Sequence, residues 1–100
     1  MLTREKILNK LREELPFLEQ EFGVRKIGIF GSFAKGNQNR KSDIDIVVEF
    51  ERPIGLAFMD LANYLERIFD NKVDILTPEG IKSIRVNTIA EEIKESIIYV

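Results

Sequence analysis

The chain has no cysteine and no histidine among its 100 residues. Without cysteine there is no disulfide, no thiolate nucleophile and no thiolate zinc site. Without histidine, imidazole is excluded as base, metal ligand and pH switch. Any catalysis must therefore use carboxylates, hydroxyls, lysine, arginine or backbone amides. With soft ligands absent, any metal is expected to be a hard cation held through oxygen, such as Mg²⁺. Long apolar runs are missing too, and the uncharged stretches fall well short of the ~20 residues that span a bilayer. The opening Met1 to Lys6 is polar, unlike the apolar centre of a signal peptide, so a cytoplasmic location without a membrane partner is expected. Nor is there an excess of basic charge. Fifteen basic against seventeen acidic residues leave a net charge of −2, unlike a domain that coats nucleic acid.

What is present is ordinary for a folded chain, 44% hydrophobic and 32% charged. This length suits one domain, residues 1–100, with one core and one shallow site. Ile7, Leu8, Leu11, Leu15 and Leu18 recur at helical spacing, predicting an amphipathic helix from Thr3 to about Phe22. Thr3 is its cap, and Pro16 is expected to kink or divide it. Val24–Phe30 reads as a strand ended by Gly31. The polar stretch Lys35–Ser42 reads as a loop, and Asp43–Phe50 as a second strand. After a turn at Pro53 and Gly55, Leu56–Phe69 fits a helix. Lys72–Leu76 is a short third strand, Thr77 to Gly80 a break, and about Ile81 to Ile98 a final helix. The order α-β-β-α-β-α predicts an α+β domain, a small mixed β-sheet with helices packed on it.

The chemistry concentrates between Gly31 and Asp45. At the first end, a strand finishes in Gly31-Ser32, and a glycine there allows a ligand close to the backbone. Exposed amides and the Ser32 hydroxyl would suit phosphate oxygens, although Gly-Ser alone is more often a plain turn. At the second end, Asp43 and Asp45 are two apart on a strand, so period-two alternation projects both to one face. Ile44, Ile46 and Val48 would face the core. Two neighbouring carboxylates repel, and a divalent cation relieves the repulsion; a solvated strand end is the plainer alternative. Asp74 adds a third acid within the apolar strand Val73 to Leu76. If that strand neighbours the first acidic strand, the trio can hold two Mg²⁺ ions that clamp an in-line phosphoryl displacement.

Other motifs fail. Gly31 to Gly36 has P-loop spacing, but Asn37-Gln38 stands where Lys-Ser/Thr should follow. Asp43-Ile44-Asp45 opens like a calcium loop, then runs into an apolar strand. The first strand is not followed by a dinucleotide fingerprint.

Gly31-Ser32, ten intervening residues and Asp43-Ile44-Asp45, together with Val73-Asp74-Ile75, resemble the minimal nucleotidyltransferases of the DNA polymerase β-like superfamily. The resemblance extends over nearly the whole chain, and it implies the nucleotidyltransferase fold. It further implies that Asp43, Asp45 and Asp74 are catalytic and ligate Mg²⁺, with Asp74 helping to deprotonate the acceptor hydroxyl. Gly31 and Ser32 would bind the β and γ phosphates of the nucleotide, and Lys35 would lie near phosphate. Relatives of this kind are antitoxins that add AMP from ATP to a tyrosine of a HEPN-type toxin. The resemblance therefore implies transfer of a nucleoside monophosphate to a partner protein's hydroxyl, releasing pyrophosphate. About twenty residues follow the turn after the third acidic strand, too few for an acceptor-holding domain, so the acceptor is expected to be held by its own surface. A module that neutralises its partner by contact alone is the alternative from another class; a small-molecule or RNA acceptor is a third. The isoleucine-rich Ile81–Ile98 segment is expected to offer an apolar face to a partner or second copy.

Overall fold

The computed structural model describes residues 2–100; Met1 lies outside them. The first helix, α1, spans Arg4–Phe22. Thr3 caps it, its side chain accepting a hydrogen bond from the Lys6 amide at 3.2 Å. Its buried residues Ile7, Leu11, Leu18 and Phe22 repeat at four- and seven-residue steps and so form one stripe. The expected division at Pro16 does not occur. Proline removes one intrahelical N–H, but Leu11 and Leu18, both 0% exposed, bind the two halves to the same core.

Four strands follow, interleaved with helices: β1 Val24–Phe30, α2 Gly31–Lys35, β2 Ile44–Phe50, α3 Ala57–Phe69, β3 Val73–Leu76, α4 Pro78–Lys82, α5 Asn87–Ser96 and β4 Ile98–Tyr99. The sheet order is β3-β2-β1-β4. β1 runs antiparallel to both β2 and β4, while β2 and β3 are parallel. A parallel pair needs a crossover between its strands, which α3 supplies. The α+β mixed sheet expected from the sequence is the observed architecture.

Period-two alternation assigns the sheet two different faces. Ile27, Ile29, Ile44, Ile46, Val48 and Val73 pack with Ile7, Leu11, Leu18, Leu61, Leu65 and Phe69 from α1 and α3. Truncating a side chain such as Leu65 there would cost about 2–5 kcal/mol through lost burial and a residual cavity. On the opposite face Phe30, Val47, Ile81 and Ala90 form a smaller cluster, with Leu76, Ile84, Ile93 and Ile97 against it. Asp45 lies on β2 between Ile44 and Ile46, so it shares this second face with Val47.

The C-terminal third departs from expectation. The single helix expected over Ile81–Ile98 is two helices and a strand. Thr77 to Gly80 is not a break but a helix start: Pro78 occupies the first turn, and the Thr77 hydroxyl accepts from the Gly80 amide at 3.0 Å. The acidic strands are each one residue shorter than expected, leaving Asp43 and Lys72 just outside β2 and β3. Among the described residues no helix is long and apolar enough to cross a membrane.

Candidate active site

β1 ends at Phe30, and the chain turns at Gly31 into the short helix α2. Gly31 has φ +72°, a left-handed conformation that L side chains rarely adopt. Space enforces the same choice. A Cβ on Gly31 would collide with an Asp45 carboxylate oxygen, with the carboxylate carbon only 3.1 Å away. The missing side chain therefore lets the turn lie directly against Asp45. The Gly31 amide donates to the Ser96 hydroxyl at 3.2 Å, and that hydroxyl donates to the Ile93 carbonyl at 2.9 Å. Ser32 is half-buried in the first turn of α2, whereas Lys35 is exposed at its far end. The Arg4 guanidinium donates to the Ala34 carbonyl at 3.0 Å and braces the helix from α1.

The loop leading to the acidic strand is held by its own polar side chains. The Ser42 hydroxyl accepts from the Asn39 amide at 2.9 Å, and the Asn39 side-chain oxygen accepts from the Lys41 amide at 2.8 Å. The Ser42 amide closes the turn by donating to the Asn39 carbonyl at 3.1 Å. Such side-chain bonds let Ser and Asn organise a turn without secondary structure. They deliver Asp43, exposed, to the start of β2. There the Ile44 amide donates to the Lys72 carbonyl at 2.9 Å, tying β2 to β3. Glu66 of α3 accepts from the Val73 amide at 3.2 Å and secures the other strand start.

In the resulting register Ile44 pairs with Val73 and Asp45 with Asp74. Register partners in a parallel pair point to the same side, so the two acids share the second face. Asp45 is half-buried and Asp74 exposed. Burial, followed by the charges of Asp74 and then Asp43, pushes the Asp45 carboxyl up from 3.8 to about 6. Strand pairing therefore brings Asp45 and Asp74 together, and Asp43 stands near enough to act on Asp45. The three do not form a compact cluster: among the described residues no three acidic side chains gather into a ready-made cation site. The donor chemistry nonetheless suits a hard cation. All the donors are oxygens, and a divalent ion would offset the neighbouring carboxylate charges that, after burial, raise the Asp45 carboxyl.

Sequence reasoning missed Ser96. Its hydroxyl meets the Gly31 turn from 65 positions away, and no local signal announces it. A cleft of about 620 Å³, lined by Leu2, Lys6, Phe33, Arg40, Phe69, Asp70 and Asn71, holds none of the three aspartates. Of the acids, Asp43 and Asp74 are exposed and Asp45 is half-buried.

Residues 8–100 match the model of the nucleotidyltransferase domain family. A protein adenylyltransferase MntA from Thermococcus cleftensis is 39% identical over 101 residues, covering 100% of this chain and 98% of the relative. Among solved structures, a putative minimal nucleotidyltransferase superposes with a TM-score of 0.73 at 23% identity, covering 97% of this chain and 95% of that one. A toxin–antitoxin structure with AMP-PNP gives a TM-score of 0.62 at 27% identity, covering 98% of this chain and 72% of its own. A tri-AMPylated Shewanella oneidensis HEPN toxin in complex with MNT antitoxin gives 0.54 at 23% identity, covering 96% and 66%.

Proposed function

The chain belongs to the nucleotidyltransferase domain family, and we propose that it transfers AMP from ATP to a hydroxyl of a partner protein, a HEPN-type toxin for which it is the antitoxin. In this reaction the acceptor oxygen bonds to the α-phosphorus as the bond from that phosphorus to the bridging oxygen breaks. Pyrophosphate leaves, and the acceptor's proton passes to the Asp74 carboxylate. The turn at Gly31 and Ser32 receives the β and γ phosphates, and Lys35, at the end of the same short helix, contributes positive charge. Asp43, Asp45 and Asp74 would be the oxygen donors for Mg²⁺, which when bound would neutralise the charge developing around the α-phosphate.

The observation that carries this reading is the in-register pairing of Asp45 with Asp74 while the Gly31 backbone lies against the Asp45 carboxylate. Phosphate turn and acidic pair thus adjoin, as in-line transfer between a nucleotide and an acceptor requires. The protein adenylyltransferase relative and the AMP-PNP-bound toxin–antitoxin neighbour support the choice of AMP and of a protein acceptor. The HEPN toxin complex supports the kind of partner.

The test is transfer of label from α-labelled ATP to the cognate toxin by wild type and by Asp43→Asn/Asp45→Asn. Label on the toxin with wild type, absent with the double variant, is expected. Equal labelling by both would reject the mechanism. A double variant that still neutralises the toxin would make the chain a contact inhibitor.

A further inference from the structure

The hydrogen bond between Ser96 and Gly31 joins the last turn of α5 to the turn beside Asp45. A serine hydroxyl has one proton, and here it is given to the Ile93 carbonyl at 2.9 Å. The lone pairs are left to face the Gly31 amide, so this hydroxyl is oriented as an acceptor. Ile93 and Ile97, flanking it, pack on the cluster containing Phe30 and Val47. Phe30 is the residue before Gly31, and its side chain is 6% exposed. Ser96 is thus anchored to the same cluster as the strand end that it touches.

Gly31 is confined on two sides. Its left-handed φ is one that glycine adopts without steric cost, but glycine surrenders more freedom than other residues when it is ordered. The Asp45 carboxylate occupies the space a side chain would take, and the Ser96 hydroxyl holds the amide. We infer that Ser96 is a positioning residue for nucleotide binding: it acts through Gly31, fixing the turn so that Ser32 and Asp45 hold a constant relation. It does not touch the phosphates itself. Because the Gly31 amide is committed to Ser96, the part of the Gly31-Ser32 turn left to meet the triphosphate is Ser32 and the backbone after Gly31. The inference rests on the assignment of Gly31-Ser32 as the phosphate turn.

The experiment compares wild type, Ser96→Ala and Ser96→Thr in the full chain with its cognate toxin. Ile93→Val serves as a control that loosens the same cluster without removing the hydroxyl. Three quantities are read: KM and kcat for ATP in AMP transfer, thermal midpoint, and hydrogen exchange of the Gly31 amide by NMR in the nucleotide-free protein. Ser96→Ala is expected to raise KM for ATP about 5- to 20-fold, with a smaller change in kcat. Its Gly31 amide should exchange at least tenfold faster. Ser96→Thr should return both to within about twofold of wild type, and Ile93→Val should lower the midpoint without moving KM. Unchanged KM in Ser96→Ala, or failure of threonine to restore it, would overturn the inference. If wild type transfers no AMP, the proposed function fails, and affinity for a fluorescent ATP analogue replaces KM in the same comparison. Slow Gly31 exchange with wild-type nucleotide affinity in Ser96→Ala would then count against the positioning role.

Discussion

Asp45 and Asp74 are register partners across the parallel strands β2 and β3, and their side chains leave the sheet on the same side. Neither strand contains both acids, so the pairing depends on where α3 returns the chain. Its register is set by the Ile44 amide on the Lys72 carbonyl and by Glu66 on the Val73 amide. A slip of one residue would turn Asp74 toward the helical core and Val73 or Ile75 toward solvent. Burial of the apolar alternates thus holds the acids together despite their repulsion.

The half-buried Asp45 carboxyl, facing two like charges, predicts a pH-dependent stability. The folded Asp45 carboxyl is raised from 3.8 to about 6, chiefly by burial and then by Asp74 and Asp43. Between those values the folded chain retains a proton that the unfolded chain has released, so stability falls as pH rises through about 6. Asp45→Asn removes the ionisation. In chelator-treated protein it should raise stability at pH 7.5 by roughly 1–2 kcal/mol after solvent screening. Thermal midpoints should show the gain shrinking toward zero near pH 4, and a gain of equal size at both pH values would contradict the assignment.

Mg²⁺ should act in the opposite direction. A cation that binds only the folded state stabilises it by about 2.7 kcal/mol at a concentration one hundred times its Kd. Titration of Mg²⁺ into wild type should raise the thermal midpoint by several degrees. Asp45→Asn and Asp74→Asn should each flatten that response, while Asp60→Asn on α3 should leave it intact.

Gly31→Ala should damage both stability and activity. The left-handed backbone alone costs a non-glycine residue roughly 1–2 kcal/mol. The added methyl would also displace the Asp45 carboxylate, which lies in its path. A midpoint lower by several degrees and at least a hundredfold loss of AMP transfer are expected. Wild-type kinetics in this variant would show that the turn and Asp45 are not coupled.

Gly28→Ala tests the seating of the C-terminal strand. Its Cβ would press on the Ile98 carbonyl, with the Tyr99 Cα 2.8 Å and the Ile98 carbonyl carbon 2.9 Å away. These are backbone atoms of β4, so the clash is relieved only if β4 moves away from β1. Faster hydrogen exchange of the Val100 amide, which donates to the Ile27 carbonyl at 3.0 Å, is the readout. Because Ser96 lies just before β4, the Gly31 amide should exchange faster as well.

Much of this protein was decided locally. Strand periodicity alone assigned Ile44, Ile46 and Val48 to the core and Asp45 to the other face, because successive strand residues alternate whatever they pack against. Helical spacing did the same for Ile7, Leu11 and Leu18, and the spacing from Gly31-Ser32 to Asp43-Ile44-Asp45 carried the family resemblance. The C-terminal third was less legible. Thr77-Pro78 reads as a chain break or a helix cap with equal ease, and two-residue β4 is too short to carry a pattern. Three relationships belonged to the tertiary structure alone: Asp45 beside Asp74, the Gly31 backbone against the Asp45 carboxylate, and the Ser96 hydroxyl on the Gly31 amide. Each joins residues far apart in the chain, and such contacts follow from how whole faces bury against one another, which no local run of residues encodes.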